Sequence, residues 1–149
     1  MRKVLVATSA GGHWVQMRRL LPALAGCELV FAGVADRLDA DLPPAPYTML
    51  RNVSRSDPLG FLVIAWQLAR LVRRERPDIV VTTGAAPGLM VLAAGKLLAG
   101  CRTVWIDSIA NSERMSLSGR LARPVADVRL VQWPHLARPG GPDHWGAVL

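Results

Sequence analysis

The stretch Val4-Leu5-Val6-Ala7-Thr8-Ser9-Ala10-Gly11-Gly12-His13 joins a short apolar run to two glycines and a histidine. A continuous apolar run of this length is typical of a strand that is covered on both faces, as in a parallel sheet. Apolar residues then recur at helical spacing until Gly26, at Trp14, Met17, Leu21 and Leu24. The pattern therefore predicts a strand, a glycine turn and a helix that begins at the turn.

The same alternation continues along the chain. Further strands are predicted at residues 28–32, 47–50, 78–82, 103–106 and 128–131. Between them, helices are predicted from Pro58 to about Arg74, over a small-residue segment ending near Ala99, and over a segment with Leu117, Leu121 and Val125 on one face. Buried strands alternating with helices imply right-handed βαβ units. The expected fold is α/β, a doubly wound parallel sheet in a single domain covering residues 1–149.

The composition suits a folded protein with anionic ligands. Hydrophobic residues make up 51% of the chain and charged residues 19%, which argues against disorder. Lys and Arg number 18 against 11 Asp and Glu, and nearly all of this positive charge is arginine, which pairs well with phosphate. A general arginine preference accounts for the charge equally well. No nucleic-acid partner is expected.

The cysteines and the N-terminal segment point to a reduced compartment. Cys27 and Cys101 lie outside metal-ligand spacings, so we expect two buried free thiols and no metal site. The chain runs from Met1 into its first strand without a signal-peptide pattern, and no apolar run is long enough to cross a bilayer. We therefore expect a cytoplasmic protein.

Polar residues follow three of the predicted strands, at Gly11-Gly12-His13, Thr83-Gly84 and 107–113. Because ligands bind beyond the carboxyl ends of strands in an open parallel sheet, these groups should meet at one crevice. The glycines allow close approach of a substrate, and the positive helix end favours a neutral His13, as a general base requires. The alternative is a histidine that only caps the turn. The stretch lacks the third glycine of GxGxxG, which disfavours an NAD(P)-dependent oxidoreductase.

Two residues with carboxylate side chains follow the strand predicted at residues 103–106. Asp107 is a candidate to orient or support a protonated His13, and Glu113 is a second catalytic candidate. The alternatives are a loop-capping aspartate and a glutamate paired with Arg114.

A basic loop and helix lie in the middle of the chain. Arg51 and Arg55 flank a polar loop and are candidates to clamp a pyrophosphate, or else form a solvated pair. The following helix places Phe61 and Trp66 before a basic end, which predicts contact with anionic lipid headgroups or, alternatively, an ordinary core helix with a polar end.

Four segments in this order carry a family resemblance: 9–17 around Gly-Gly-His, Thr83-Gly84-Ala85, Ile106-Asp107-Ser108 with Glu113, and Val131-Gln132-Trp133-Pro134. They resemble the oligosaccharide-biosynthesis proteins that include the membrane-anchor subunit of the eukaryotic UDP-N-acetylglucosamine transferase of N-glycan assembly. The chain is also similar to the bacterial PssD and CpsF type subunits of exopolysaccharide and capsule synthesis. The likeness covers almost the whole chain.

The resemblance implies a Rossmann-like N-terminal half of a GT-B glycosyltransferase, similar to the acceptor half of MurG and active only with a donor-binding partner chain. The implied reaction transfers a sugar from a UDP-sugar, held mainly by the partner, to a lipid-pyrophosphate-linked acceptor, with no cofactor. Acceptor contacts are expected at Gly11, Gly12, Arg51, Arg55, Thr83 and Gly84, and partner contacts at Gln132, Trp133, Pro134 and Trp145.

Membrane attachment is expected to be peripheral, at the inner face of the plasma membrane, because this chain lacks the N-terminal anchor of the eukaryotic subunit. A non-catalytic scaffold that recruits the catalytic chain to the membrane is the alternative function.

Overall fold

The computed structural model describes residues 1–34, 44–53 and 57–148, which form a six-stranded parallel sheet with helices on both faces. The strands are β1 (Lys3–Thr8), β2 (Glu28–Gly33), β3 (Tyr47–Met49), β4 (Ile79–Thr82), β5 (Arg102–Ile106) and β6 (Val128–Leu130). The helices are α1 (Gly12–Leu20), α2 (Pro58–Glu75), α3 (Ala85–Ala99) and α4 (Leu117–Leu121). The strand order is β3-β2-β1-β4-β5-β6, so the chain reverses direction across the sheet beside β1, and the predicted doubly wound topology is confirmed.

The side chains of β1 show why the sequence of this strand is apolar at successive positions. Leu5 and Ala7 point into a core on one face of the sheet, together with residues of α2 and α3. Val4 and Val6 point into the core on the other face, where Trp14 of α1 packs. Both cores are closed, so a central strand must be apolar at every position.

Local signals fix the ends of α2. The side chain of Asp57 accepts a hydrogen bond from the Gly60 backbone N–H at 2.7 Å, and Pro58 occupies the first turn, where its missing N–H costs nothing. Arg76 ends the helix in the left-handed conformation at φ 46°. The predicted bounds of this helix are therefore confirmed to within a residue.

The predicted apolar face of the helix after β5 is divided: α4 ends before Val125, which packs partly buried against the core, and its leucines do not face the core. Leu117 and Leu121 are 54% and 57% exposed, and Met115 and Ala122 are buried instead. Gly119 explains the difference, because a Cβ built there would lie 2.7 Å from Trp105 Nε1, so α4 turns its glycine rather than its leucines toward the sheet. Ser116 fixes this rotation by capping the helix at the Gly119 N–H.

The predicted first helix also divides into two parts. α1 ends at Leu20, and Leu21–Leu24 continue as a 3₁₀ turn. Pro22 has no backbone N–H to extend the α-helical ladder, which accounts for the change.

The C-terminal segment returns to the sheet. The Asp143 N–H donates to the Arg129 carbonyl, and the Val131 N–H donates to the Asp143 carbonyl, at 2.8 and 2.9 Å. The segment thereby covers part of the outer edge of β6, which would otherwise expose unpaired backbone groups.

Cys101 is buried and Cys27 half-buried, and both are free thiols. Burial raises the pKa of the Cys101 thiol, whose Sγ lies 2.9 Å from the Pro77 carbonyl oxygen. Within the described ranges, no helix has the length and apolar character needed to cross a membrane.

Candidate active site at the carboxyl edge of the sheet

His13 and the turn after β4 hold each other in place. His13 Nδ1 lies 2.8 Å from the Thr83 carbonyl oxygen, and Thr83 Oγ1 donates to the His13 carbonyl at 2.9 Å. β1 and β4 are hydrogen-bonded neighbours, so the residues after them meet at the carboxyl edge. The structure thus brings together His13 and Thr83, as the sequence predicts.

The bond to Thr83 determines which ring nitrogen of His13 carries the proton. A carbonyl oxygen can only accept, so Nδ1 must donate. In the neutral ring, Nε2 then has a free lone pair. A half-buried histidine in this state is equipped to take a proton from a hydroxyl group.

The glycines of the site serve two purposes. Gly84 has φ +131°, and a Cβ built on it would lie 2.7 Å from His13 Cε1, so this position admits the imidazole only as glycine. Gly11 and Gly12 are exposed, and a Cβ at either would meet no atom within 4 Å. The backbone at the start of α1 is therefore open to a ligand.

Asp107 is buried at the end of β5 and its carboxylate is fully engaged. Oδ1 accepts from Trp105 Nε1 at 3.1 Å and from Ser116 Oγ at 2.5 Å. Oδ2 accepts from the Ser116 backbone N–H at 2.9 Å and from Asn111 Nδ2 at 3.1 Å. These bonds hold the loop between β5 and α4 in a fixed shape, and the histidine that Asp107 was expected to orient has Thr83 as its hydrogen-bond partner.

Two glutamines that the sequence reasoning did not assign to the site attach this loop to the rest of the fold. Gln16 Nε2 of α1 donates to the Asp107 carbonyl at 3.1 Å, and Gln132 Nε2 donates to the same oxygen at 3.3 Å. Gln16 Oε1 also accepts from the Ile109 N–H. A polar residue between Trp14 and Met17 on a buried helix face could have marked Gln16 as buried, but not which atoms it would contact.

A cleft of about 320 Å³ lies between these groups. Its walls include His13, Gly84, Asp107, Asn111 and Ser116. The size is at the lower end for small-molecule sites.

The remaining predicted site residues lie elsewhere. Glu113 is exposed and lines a different cleft beside Arg114, so its position gives no support to a catalytic role. Arg51 donates to Asp57 Oδ2 at 3.1 Å, in a partly exposed ion pair. Arg55 lies outside the described residues.

The residues predicted to meet a partner fall into two groups. Gln132 is 3% exposed, and its Oε1 accepts from the Val148 N–H, so its side chain is part of the fold rather than of an outer surface. Trp133 is half-buried and donates from Nε1 to the Ile109 carbonyl at 2.8 Å. Pro134 is exposed, and Trp145 is 71% exposed, so these two remain available to a second protein.

Comparison with known sequences gives a consistent family. Residues 50–148 match the family described as "Oligosaccharide biosynthesis protein Alg14 like". The UDP-N-acetylglucosamine transferase subunit ALG14 of Eremothecium gossypii is 31% identical, over 99% of this chain and 80% of that protein.

A longer transferase is also similar. The UDP-N-acetylglucosamine--N-acetylmuramyl-(pentapeptide) pyrophosphoryl-undecaprenol N-acetylglucosamine transferase of Parasynechococcus marenigrum is 34% identical, over 84% of this chain but 38% of that protein. Among solved structures, Acinetobacter baumannii MurG superposes with a TM-score of 0.78 at 16% identity, over 93% of this chain and 44% of that one. The fold is that of one Rossmann-like half of a GT-B glycosyltransferase, and the chain spans less than half of each of these two proteins.

Proposed function

The chain belongs to the Alg14-like family of oligosaccharide biosynthesis proteins, and we propose that it is the acceptor-binding subunit of a two-chain glycosyltransferase. The partner chain would hold a UDP-sugar, and this chain would bind a lipid-pyrophosphate-linked saccharide. The similar protein of Eremothecium gossypii is named as a transferase subunit and is matched over 80% of its length, which supports this proposal.

The observation that carries a catalytic role is the hydrogen bond from His13 Nδ1 to the Thr83 carbonyl oxygen. It leaves Nε2 as the proton acceptor beside the cleft. In the proposed reaction, Nε2 takes the proton of the acceptor hydroxyl, and the hydroxyl oxygen forms a bond to the anomeric carbon. The bond from that carbon to the nucleoside diphosphate breaks, and the diphosphate leaves with the electron pair. Attack opposite the leaving group inverts the anomeric centre.

The hydrogen bond to Thr83 can persist through the proposed proton transfer. After the proton moves, the ring keeps its Nδ1 hydrogen bond to Thr83, so it need not rotate during the reaction. Asp107 lines the same cleft, and we propose that its carboxylate supports the transferred proton electrostatically. We assign Asp107 this electrostatic role and assign no step to Glu113.

The acceptor would approach over Gly11 and Gly12, where exposed backbone at the start of α1 can receive a phosphate oxygen. We propose that Arg51 and Arg55 contact the same pyrophosphate. For Arg51, this contact would exchange the carboxylate of Asp57 for a phosphate, which is an equivalent bidentate acceptor.

The exposed side of α2 supports a proposal of membrane contact. Leu59, Leu62 and Trp66 are exposed at helical spacing, and Arg70, Arg73 and Arg74 follow them. We propose that this face rests on the inner surface of the plasma membrane, where the lipid-linked acceptor lies, in exopolysaccharide or capsule synthesis of the PssD and CpsF type. The same face would serve the alternative function, a non-catalytic scaffold that recruits the partner.

His13→Ala separates the two functions. In the reconstituted two-chain enzyme, loss of a positioned base should lower the turnover about 10²–10⁴-fold. Partner binding, measured by calorimetry, should be unchanged. Added imidazole should restore part of the activity of the variant, since it can occupy the space of the missing ring. Near-normal turnover of His13→Ala would show that the chain is a scaffold.

A further inference from the structure

An arginine-lined groove runs along β6, between α4 and residues 138–143. It consists of two adjoining clefts of about 590 and 360 Å³ that share Arg123, Arg129, Gly140 and Gly141. The arginines that line this arginine groove are Arg114, Arg120, Arg123, Arg129 and Arg138. It is separate from the cleft that His13 lines.

The arginine groove has an excess of positive charge within the described part of the chain. None of its arginines forms an ion pair there, and Arg129 donates only to the Gly141 carbonyl, at 3.4 Å. Three carboxylates also line the two clefts, but they are fewer than the five arginines: Glu113, Asp143 and Asp127, which is paired with Lys96. Guanidinium groups gathered in this way repel one another, so an anionic occupant is favoured.

The size and lining of the groove favour a polypeptide over a single phosphate. Two adjoining clefts of about 590 and 360 Å³ offer more room than one phosphate needs. The lining also includes apolar side chains, those of Met115, Leu136 and Pro142. An extended segment that carries both carboxylates and apolar side chains would match this lining, since each guanidinium can bind a carboxylate through two parallel hydrogen bonds.

We propose that the arginine groove binds an acidic, partly apolar segment of the donor-binding partner chain. One wall of the groove is the segment 138–143, and the same segment leads directly to the exposed Trp145. The groove is therefore continuous with the surface that is left available for a second protein. The acidic chemistry of the occupant follows from the groove alone, and its assignment to the donor-binding chain rests on the proposed function.

A first experiment tests the chemistry without the partner. The probe is a fluorescein-labelled peptide of alternating glutamate and leucine, and its binding to the purified chain is measured by fluorescence anisotropy. Replacing Arg120, Arg123 and Arg138 together with glutamate should weaken binding about tenfold or more. The matched control replaces Arg2, Arg19 and Arg102, which are exposed elsewhere, with glutamate. It has the same net charge and should change binding less than about twofold.

Reversing the charge of the probe completes this test. The groove variant should gain binding of a peptide of alternating lysine and leucine, while the control variant should not. Equal losses in the two variants would show non-specific attraction and overturn the proposal. Displacement of the glutamate peptide by equimolar inorganic pyrophosphate would identify a phosphate site instead and also overturn it. If the groove variant fails to fold, Arg120→Gln with Arg138→Gln replaces it.

A second experiment uses the assembled two-chain enzyme. The groove variant should raise the dissociation constant of the two chains about tenfold or more, and the control variant should not. Normal assembly and transfer by the groove variant would overturn the groove proposal and leave the proposed function standing. Sugar transfer by the isolated chain, in contrast, would contradict the proposed function whatever the groove binds.

Discussion

The proton transfer proposed for His13 depends on two neighbouring residues that act on the ring in different ways. The Thr83 carbonyl selects the ring tautomer, and Gly84 makes room for the ring. Removing the His13 side chain would test whether it acts as the base, but it would not test whether the orientation of the ring matters. A substitution at Gly84 does so, because it leaves the imidazole in the chain and moves only its surroundings.

We expect Gly84→Ala to lower transfer substantially while His13 remains present. The new Cβ would lie 2.7 Å from His13 Cε1, so the ring must shift and its hydrogen bond to Thr83 must weaken. A displacement of about 1 Å can cost about 10²-fold in rate. The measurement is turnover in the reconstituted enzyme, together with the melting temperature.

Gly100→Ala is the matched control for this variant. Gly100 also has a positive φ, of 63°, but a Cβ there meets no atom within 4 Å. Both variants should lose about 1 kcal/mol or more of stability from the strained backbone. Only Gly84→Ala should lose transfer. Equal activity of the two variants would argue against a positioned His13.

The sequence predicts part of the site and misses the rest for a physical reason. His13, Thr83 and Asp107 follow strands of a parallel sheet, so their meeting at one edge follows from topology. The roles of Gln16 and Gln132 do not follow from topology, because a buried amide is recognised only when its tertiary partner is known. Glu113 is close to Asp107 in sequence but lines another cleft, and its catalytic role stays a prediction.

At the scale of secondary-structure elements, the start of β6 is held to β5 by one carboxylate. Asp127 Oδ2 accepts from the Thr103 N–H at 2.8 Å and from Thr103 Oγ1 at 3.0 Å, and Lys96 pairs with Oδ1. Burial alone would raise the pKa of Asp127, but the bonds from Lys96 and Thr103 outweigh it and hold the pKa below its ordinary value.

This shift predicts how stability depends on pH. The folded-state pKa is lower than the unfolded one, so the contribution of Asp127 is present at neutral pH. It is lost as the pH falls below about 4 and through the folded-state value. We expect Asp127→Asn to cost about 1–2 kcal/mol at neutral pH and less in acid, by urea unfolding across that range.

The exposed Asp143 provides the comparison for this variant, since its side chain makes no hydrogen bond within the described ranges. Asp143→Asn should change stability by less than about 0.5 kcal/mol at any pH. A cost for Asp127→Asn that is the same at neutral and acid pH would show that charge is not the cause.

The membrane proposal depends on helix α2, whose exposed face can be mutated without changing its buried face. Ile64 and Leu68 are buried against the sheet, while Leu62 and Trp66 are 69% and 62% exposed. Changing Leu62 and Trp66 to serine should therefore weaken binding to vesicles with anionic lipid about tenfold or more, because both side chains lose apolar contact with the bilayer. Added salt should weaken the binding of the unchanged protein as well. Vesicle flotation measures both effects.

Serine at Leu97 and Leu98 of α3 is the control, since these side chains are also exposed. Equal losses in the two variants would mean that general surface hydrophobicity, not α2, causes binding.

The difference between α2 and α4 shows what helix prediction from sequence can achieve. The ends of α2 are marked by Asp57, Pro58 and Arg76-Pro77, which act locally. In α4, the spacing of Leu117 and Leu121 predicted one apolar face, but the close approach of Gly119 to Trp105 decided the rotation. A contact between residues distant in sequence cannot be read from periodicity.

At the scale of the whole molecule, the chain has the fold of half a GT-B enzyme, and MurG, which it superposes on, is more than twice as long. The cleft at His13 is small. Under the proposed function, the donor would be held by the partner chain, and Trp145 is exposed to meet that chain.

We therefore expect the isolated chain neither to bind a UDP-sugar tightly nor to transfer sugar, and both properties should appear when the donor-binding chain is added. Truncation after Asp143 should weaken the association of the two chains before it unfolds the sheet, because the backbone pairing of Asp143 with Arg129 and Val131 is retained, although the bond from Val148 to the buried Gln132 is lost. Trp145→Ala should give part of the same loss, since a large exposed aromatic side chain is a typical interface anchor. Calorimetry and transfer assays with and without the partner measure these effects. A truncated chain that assembles normally would place the interface elsewhere, and robust transfer by the isolated chain would show that the site is complete within one chain.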